Sequence, residues 1–177
     1  MAAPLELERD IVRRLTRRGQ TLALAESCTG GFIAHRITLV PGASRGFLGG
    51  VVAYHNAVKE KFLGVDPQTL KRCGAVSAAV AREMAEGARK KFGADFALAV
   101  TGIAGPTGGT RRKPVGTVFL ALAGPFGTTV ERQVNRFGRE QFKAVTAQQA
   151  LKLLLERLDC RPPARKFRLR KKSGRIN

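Results

Sequence analysis

The amino-acid sequence predicts an α/β fold, a three-layer α/β/α sandwich with a mixed, mostly parallel sheet and a C-terminal hairpin plus helix. Three observations favour this class. Apolar segments of strand length alternate with segments of helical period along most of the chain, as in sheets covered by helices on both faces. Two strand-like segments then follow each other across a short turn, which indicates a hairpin. A last helical segment precedes a basic tail.

The N-terminal part is predicted to form helix, strand and helix. Residues 5–18 carry apolar side chains at helical spacing, and Gly19 provides a stop. The apolar run TLALA that follows indicates a short buried strand. A second helix starts at Thr29-Gly30-Gly31, has Leu39 among its apolar positions and ends at a proline-glycine pair.

The central part is predicted to contain a strand over 47–55, FLGGVVAYH, and a short helix over 56–63. Asp66-Pro67 opens a further short helix. A long amphipathic helix then runs from Ser77 to Gly93, because serine favours the first position of a helix and glycine the position after its end.

The C-terminal part begins with a buried strand over 95–102, which runs into the glycine-rich loop GIAGPTGGTRRKPVG. The segments TVFLALAG and GTTVERQVNRF flank Pro125 and predict an antiparallel hairpin. A closing helix spans 141–158. Two prolines then mark a boundary, so we expect a domain over residues 1–160 and a basic tail over 161–177.

The charge of the chain is strongly positive, at +19 from 32 Lys+Arg and 13 Asp+Glu. The last 17 residues hold eight basic residues and no acidic one, so residues 1–160 still carry +11. Such a field favours anionic ligands, either a phosphorylated metabolite or nucleic acid. For the tail, a solvated charged segment is the alternative to a weak nucleic-acid contact.

The sequence also indicates the cellular compartment in which the protein is expected. No apolar run reaches the ~18 residues of a membrane span, and the N-terminus lacks an apolar signal-peptide core. We therefore expect a cytoplasmic protein without a membrane partner. The three cysteines are widely spaced and resemble neither a disulfide framework nor a zinc site, which fits a reducing compartment. No H-x-x-H or HExxH spacing is present, so no histidine metal centre is expected. No cofactor is expected either.

The segment AESCTGG places two nucleophiles, Ser27 and Cys28, where a buried strand turns into a helix. Free N–H groups at a helix start can stabilise an oxyanion or a phosphate, and Gly30 and Gly31 would let a substrate approach closely. The alternative is a Ser or Thr that only caps a structural helix. Cys28 has no well-placed histidine and is more easily explained by packing.

A serine nucleophile needs a base, and the two histidines, His35 and His55, are poorly placed for that task. A lysine can serve when burial or neighbouring positive charge lowers its pKa. Lys59 and Lys61 follow a predicted strand, although most lysines are solvated surface groups. The glycine-rich loop after Thr101 should lie at the same sheet edge as Ser27 if both strands are parallel.

Four stretches of the sequence resemble the CinA C-terminal domain family of nicotinamide-nucleotide amidases. They are AESCTGG, GGVVAYHNAVKEKFLGV, GAVS and VTGIAGPTGGTRRKPVGTV. The resemblance covers roughly residues 5–158 and looks like the stand-alone form, without the N-terminal domain that resembles molybdopterin-binding proteins. It implies hydrolysis of nicotinamide mononucleotide, a phosphorylated pyridine nucleotide, to nicotinate mononucleotide and ammonia by Ser/Lys chemistry.

The resemblance also implies roles for individual residues. Ser27 would be the nucleophile and Lys59 the base, with Tyr54 assisting proton transfer or orienting the substrate. The arginine before the last helix maps to Arg139, but the segment RFGRE lacks the family's acidic neighbour and makes Arg136 a rival. The expected substrate-binding residues are Thr29, Gly30, Gly31, Thr101, Gly102, Gly105 and Arg139.

A second hypothesis is a nucleic-acid-binding or competence-associated protein without amidase activity. The charge and the tail favour it, whereas no helix-turn-helix, RNP-like or zinc-finger pattern is present and aromatic residues make up only 6% of the chain.

The oligomeric state can also be predicted from the first hypothesis. Small metabolic enzymes commonly self-associate, so we expect a homo-oligomer.

Overall fold

The computed structural model of the protein describes residues 5–159. The segments expected to alternate do so, and a single 3-10 turn, Ala43–Arg45, precedes the second strand. In chain order the elements are α1 (Glu6–Arg18), β1 (Leu22–Glu26), α2 (Phe32–Thr38), β2 (Phe47–Val52), α3 (Asn56–Leu63), α4 (Pro67–Cys73), α5 (Ala78–Phe92), β3 (Phe96–Gly102), β4 (Thr117–Gly124), β5 (Gly127–Val134) and α6 (Arg139–Asp159).

The five strands form one sheet in the order β2-β1-β3-β4-β5. β1 lies between β2 and β3 and pairs with both in parallel, while β4 pairs antiparallel with β3 and with β5. Four of the five strands therefore run in one direction. This confirms the mixed, mostly parallel sheet with a C-terminal hairpin and helix.

The strands alternate leucine and alanine, and the two kinds of side chain face opposite sides of the sheet. Leu22, Leu24 and Leu98 belong to a core cluster with side chains of α1, α2 and α6. Ala23, Ala97 and the other strand alanines belong to a second cluster with α3, α4 and α5. The sheet is thus covered on both faces, and α5 packs on a surface of small side chains.

Helix α5 also approaches α3 closely at Gly87. A Cβ atom at this position would lie 1.7 Å from the carbonyl oxygen of Leu63, the last residue of α3. Glycine inside a helix costs about 1 kcal/mol relative to alanine, so the backbone contact gives a physical reason for it here. The contact sets how near α3 lies to the rest of the fold.

The local signals in the sequence identify most element ends. His55, Asp66 and Ser77 accept hydrogen bonds from the free N–H groups at the starts of α3, α4 and α5. Several bounds differ from the expectation: α6, for example, begins at Arg139 and not at residue 141, and β5 ends at Val134 and not at residue 137. Leu39 lies just beyond α2 and is 50% exposed, because the helix already ends at Thr38. The second predicted strand is shorter than expected, ending at Val52.

Two further observations concern the limits of the chain. The expected boundary after residue 160 and the basic tail over 161–177 lie outside the described residues. Within residues 5–159, none of the helices combines the length and the apolar character that crossing a membrane requires.

Candidate functional site

A pocket of about 270 Å³ lies at the carboxyl ends of β1 and β3. This is the edge of an α/β sheet at which ligands usually bind. Side chains from the turn after β1, from α3, from the end of β3 and from the start of α6 meet there. The residues that line it are Ser27, Cys28, Tyr54, Asn56, Lys59, Ala75, Val76, Thr101, Gly102, Ile103, Ala104, Gly105, Thr107, Gly108 and Arg139.

Ser27 is the first residue after β1 and is 8% exposed. Its N–H donates to the carbonyl of Val100 at 3.0 Å, which continues the bonding between β1 and β3 by one residue. Its carbonyl accepts the N–H of Gly30 at 3.1 Å. The backbone on both sides of the serine is therefore fixed, and the side chain lines the pocket.

The carboxylate of Glu26 holds the turn that follows Ser27. It is 2% exposed and accepts N–H groups of Gly31 and Ile33 at 3.0 Å and of Ala34 at 2.8 Å. A negative charge at a helix start is favoured by the helix dipole, and bonds to an ionised acceptor are the stronger kind. The role of Glu26 was not predicted from the sequence, although the residue lies in the motif AESCTGG.

The bonds to Glu26 correct one expectation about the two glycines. The N–H of Gly31 is taken by the carboxylate, and that of Gly30 by the carbonyl of Ser27. Neither glycine is among the residues that line the pocket, and neither is Thr29, which is fully buried. Both glycines have positive φ angles, +60° and +92°, so the structure requires them for the turn itself.

Lys59 is buried under the same pocket, with 1% of its surface exposed. Its Nζ donates to the carbonyl oxygens of Ala53 at 2.7 Å and of Tyr54 at 3.3 Å. Burial lowers the pKa of Lys59 below its ordinary value, and the nearby Cys28 acts weakly in the other direction. Among the described residues, the Nζ bonds go to these carbonyls and not to Ser27 Oγ.

Cys28 differs from Ser27 in what its environment allows. It is buried among apolar residues of the leucine-side core, and burial raises the pKa of its thiol to about 12. At neutral pH the sulfur is therefore protonated and a poor nucleophile. This environment favours Ser27 as the reactive member of the pair.

The opposite wall of the pocket joins Tyr54, Arg139 and the glycine-rich loop. Arg139 donates to the Tyr54 hydroxyl at 3.2 Å and to the carbonyl of Gly105 at 2.5 Å. Thr101 is buried and donates to the carbonyl of Ala75 at 2.9 Å. Arg139 is the first residue of α6 and lines the pocket, whereas Arg136 is not among the lining residues.

The structure thus brings together most of the expected site. Ser27, Lys59, Tyr54 and Arg139 line one pocket, as do Thr101, Gly102 and Gly105. Three lining residues, Asn56, Ala75 and Val76, were given no role from the sequence, although they lie in the motifs GGVVAYHNAVKEKFLGV and GAVS. The remaining lining residues, Ile103, Ala104, Thr107 and Gly108, belong to the glycine-rich loop that was predicted to lie near Ser27.

The pocket carries the positive charge of Arg139. Its lining contains no Asp or Glu, and burial lowers the pKa of its other basic residue, Lys59. Such a lining suits an anionic ligand. Within residues 5–159, no group of three or more His, Cys, Asp or Glu side chains is placed to hold a metal ion.

Comparison with known proteins gives one consistent family. A family model, the CinA C-terminal domain, matches residues 5–158. Two curated relatives are CinA-like proteins of Anaeromyxobacter sp. (strain Fw109-5), 55% identical over 149 residues, and of Parasynechococcus marenigrum (strain WH8102), 51% identical over 150 residues. Each match covers 84% of this chain and 36% of the relative, so the chain spans about a third of their length.

Solved structures agree in fold along their whole length. The competence/damage inducible protein CihA from Agrobacterium tumefaciens superposes with a TM-score of 0.84 at 41% identity, covering 90% of this chain and 100% of that one. The competence damage-inducible protein A (ComA) from Klebsiella pneumoniae gives 0.84 at 36% identity, covering 87% and 96%.

Proposed function

The chain belongs to the CinA C-terminal domain family, and on this basis we propose that it is an amidohydrolase that converts nicotinamide mononucleotide to nicotinate mononucleotide and ammonia. One observation carries the proposal: Ser27 and a buried lysine of lowered pKa, Lys59, line the same pocket. This is the pair that hydrolysis of a carboxamide by a serine nucleophile requires.

The surroundings of Lys59 support its role as the base. A neutral amine has two N–H donors and one lone pair. The carbonyls of Ala53 and Tyr54 accept both donors, which leaves the lone pair to take a proton. Burial favours this neutral form, because desolvation disfavours the ammonium.

The reaction then proceeds in two halves. Lys59 removes the Ser27 hydroxyl proton as Oγ attacks the amide carbon, and the same proton is returned to the leaving nitrogen, which departs as ammonia. Water, deprotonated by Lys59, then attacks the acyl-serine. The acyl–oxygen bond breaks, the proton returns to Ser27 Oγ, and the carboxylate product is released.

One peptide group is the candidate for stabilising the oxyanion. The N–H groups of Gly30 and Gly31 are already bonded, and Thr29 does not line the pocket, whereas Cys28 lines it and its N–H has no backbone acceptor among the described residues. The N–H that follows a nucleophile is a common oxyanion donor. We place Cys28 N–H in this role.

The phosphate of the substrate fits the positive side of the pocket. Arg139 is held between Tyr54 and the loop carbonyl of Gly105, at the rim of the pocket, where a phosphate would meet its guanidinium. Tyr54 is 62% exposed and is therefore free to contact the substrate from the rim. A pocket of about 270 Å³ suits a small ligand.

The test is ammonia release from nicotinamide mononucleotide by four proteins: the wild type, Ser27→Ala, Lys59→Met and the matched control Cys28→Ala. We expect the first two variants to lose at least about a thousandfold in kcat, because nucleophile and base act as a unit. Cys28→Ala should keep most of the activity. A fully active Ser27→Ala protein would overturn the assignment of the nucleophile, and loss of wild-type activity with EDTA would overturn a mechanism made only from side chains.

A further inference from the structure

A second pocket, of about 390 Å³, lies far from the first one along the strands. It is formed by α1 and by residues 40–45, just before β2. The N–H of Leu22, the first residue of β1, donates to the carbonyl of Gly46 at 2.7 Å, which places this segment at the amino ends of β1 and β2. The first pocket is at the carboxyl ends, and the two share no residue.

Four arginines border this second pocket, which we call the arginine pocket: Arg9, Arg13, Arg17 and Arg45. All four are exposed, and Val12 and Val40 lie between them as buried side chains. No acidic residue is among the lining.

The nearby carboxylates are bonded to other groups. Asp10 accepts from Arg13 at 2.5 Å and from Arg14 at 2.9 Å, and the buried Glu8 pairs with Arg36. Within the part of the chain that the structure describes, Arg9, Arg17 and Arg45 pair with no carboxylate. The arginine pocket therefore keeps most of its positive charge.

The spacing of the arginines indicates an elongated ligand. Residues 9, 13 and 17 are four apart in α1, so they share one face of the helix and are attached about 6 Å apart. Like charges at this spacing repel each other and disfavour the helix, and the bond to Asp10 reduces this repulsion at Arg13. A bound chain of anionic groups would remove that repulsion.

From this arrangement we propose that the arginine pocket binds the phosphate groups of an extended polyanion, such as a single strand of nucleic acid. One guanidinium group can donate two parallel hydrogen bonds to the oxygens of a phosphate, and it is only weakly hydrated. Both properties suit arginine to a ligand of this kind. Val12 and Val40 provide an apolar floor between the charges. The site goes beyond the proposed amidase activity, because it is built from residues that the first pocket does not use.

The experiment measures binding of a fluorescein-labelled single-stranded oligodeoxythymidine to the full chain by anisotropy, over a series of salt concentrations. The test protein carries Arg9→Gln, Arg17→Gln and Arg45→Gln. The matched control carries Lys71→Gln, Arg72→Gln and Lys152→Gln, three exposed cations on α4 and α6 that remove the same charge. Thermal unfolding shows whether each variant is folded.

We expect the test protein to bind at least about tenfold more weakly than the control at low salt. Loss of three phosphate contacts should also reduce the slope of log affinity against log salt by about 2, at roughly 0.7 per contact for a single strand. Equal affinities of the two variants, both for the oligonucleotide and for the tripolyphosphate described next, would overturn the proposal, since only the net charge would then matter.

A second arm titrates tripolyphosphate into the same proteins by calorimetry. Binding of the oligonucleotide that depends on the three arginines identifies nucleic acid as the source of the phosphates. Binding of tripolyphosphate alone, with the same dependence, identifies a small polyphosphate at the same site. Neither readout requires the protein to be an amidase, so failure of the proposed reaction and failure of this proposal remain distinguishable.

Discussion

The side chain of Glu26 is bonded to the start of α2, while that of the next residue, Ser27, lines the pocket. The two tasks depend on each other, because the carboxylate fixes the turn that carries the serine. A turn with two glycines at positive φ would otherwise be the most adaptable part of the site.

Replacement of Glu26 by glutamine should therefore be costly. Glutamine has one acceptor oxygen and places an NH₂ group against a backbone N–H, so at least one buried bond is lost. We expect the free energy of unfolding in urea to fall by about 2 kcal/mol, the scale of bonds to buried charged groups. Glu86→Gln, which changes a half-exposed carboxylate on α5, should cost far less. Equal losses would show that Glu26 contributes no more than a surface charge.

The pH dependence of the reaction should report on Lys59. Below its pKa the amine carries a proton and cannot take one from Ser27, so kcat/KM for nicotinamide mononucleotide is low at acid pH and rises with pH. Burial lowers the pKa of Lys59, so the midpoint of this rise should lie below 10.5, its ordinary value. The control variant Cys28→Ala should show the same rise of kcat/KM with pH. A midpoint at or above 10.5 would contradict a neutral Lys59 base.

Single residues also show which features of the site could be predicted from the sequence. The spacing in YHNAVK and the family resemblance placed Tyr54 and Lys59 near Ser27, and the structure puts all three in one pocket. The direction of the N–H groups at Gly30 and Gly31 could not be predicted, because it depends on a carboxylate that reaches from the end of β1 to the start of α2. Such a contact leaves no periodic pattern in the sequence.

At the scale of elements, the position of α3 decides how deeply Lys59 is placed. The helix is held at one end by His55, whose Nδ1 accepts the N–H of Ala57, and at the other by the contact of Leu63 with Gly87 of α5. The depth of Lys59 therefore depends on a glycine on a different helix.

Gly87→Ala should test this dependence. The added Cβ would lie 1.7 Å from the Leu63 carbonyl oxygen, so α3 and α5 must move apart. We expect a loss of about 1–3 kcal/mol in the free energy of unfolding, as for other overpacked sites, and a lower kcat. Gly138→Ala, where a Cβ meets no atom within 4 Å, is the matched control for stability. Stability equal to that of the wild type would show that the close contact does not exist.

The elements themselves were largely predictable, since each has a strong local signal. Ser77 and Gly93 mark the ends of α5 in the sequence and do so in the structure. The order of the strands in the sheet was not predicted, because β1 lies between β2 and β3 through pairings that connect distant parts of the chain. Tertiary contacts, not local preferences, decide that order.

At the scale of the whole molecule, the formal charge of +19 should draw an anionic substrate toward the first pocket. Salt screens such attraction, with a Debye length of about 8 Å at physiological ionic strength. We expect kcat/KM for nicotinamide mononucleotide to fall several-fold as salt is raised from about 10 mM to about 150 mM, because the Debye length shortens over this range from about 30 Å to about 8 Å.

The riboside of nicotinamide, which lacks the phosphate, is the control substrate. Its pyridinium ring leaves the riboside with a positive charge, so its kcat/KM should not fall over the same range of salt and should rise slightly as the repulsion by the protein is screened. The same fractional fall for both substrates would mean that salt affects the protein and not the encounter. Self-association of the chain stays a prediction, and sedimentation in the same buffers would measure it.

The alternation of leucine and alanine along the strands has a consequence for how this sequence can change over time. On the leucine side, exchanges among leucine, isoleucine and methionine keep the volume and should cost under about 1.5 kcal/mol each. On the alanine side, Ala23, Ala97 and Ala99 are fully buried beneath α5, and any larger side chain would push that helix away. Sequence drift in this protein should therefore differ between the two faces of the sheet, with the leucine positions open to exchanges of similar volume and positions 23, 97 and 99 restricted to small residues.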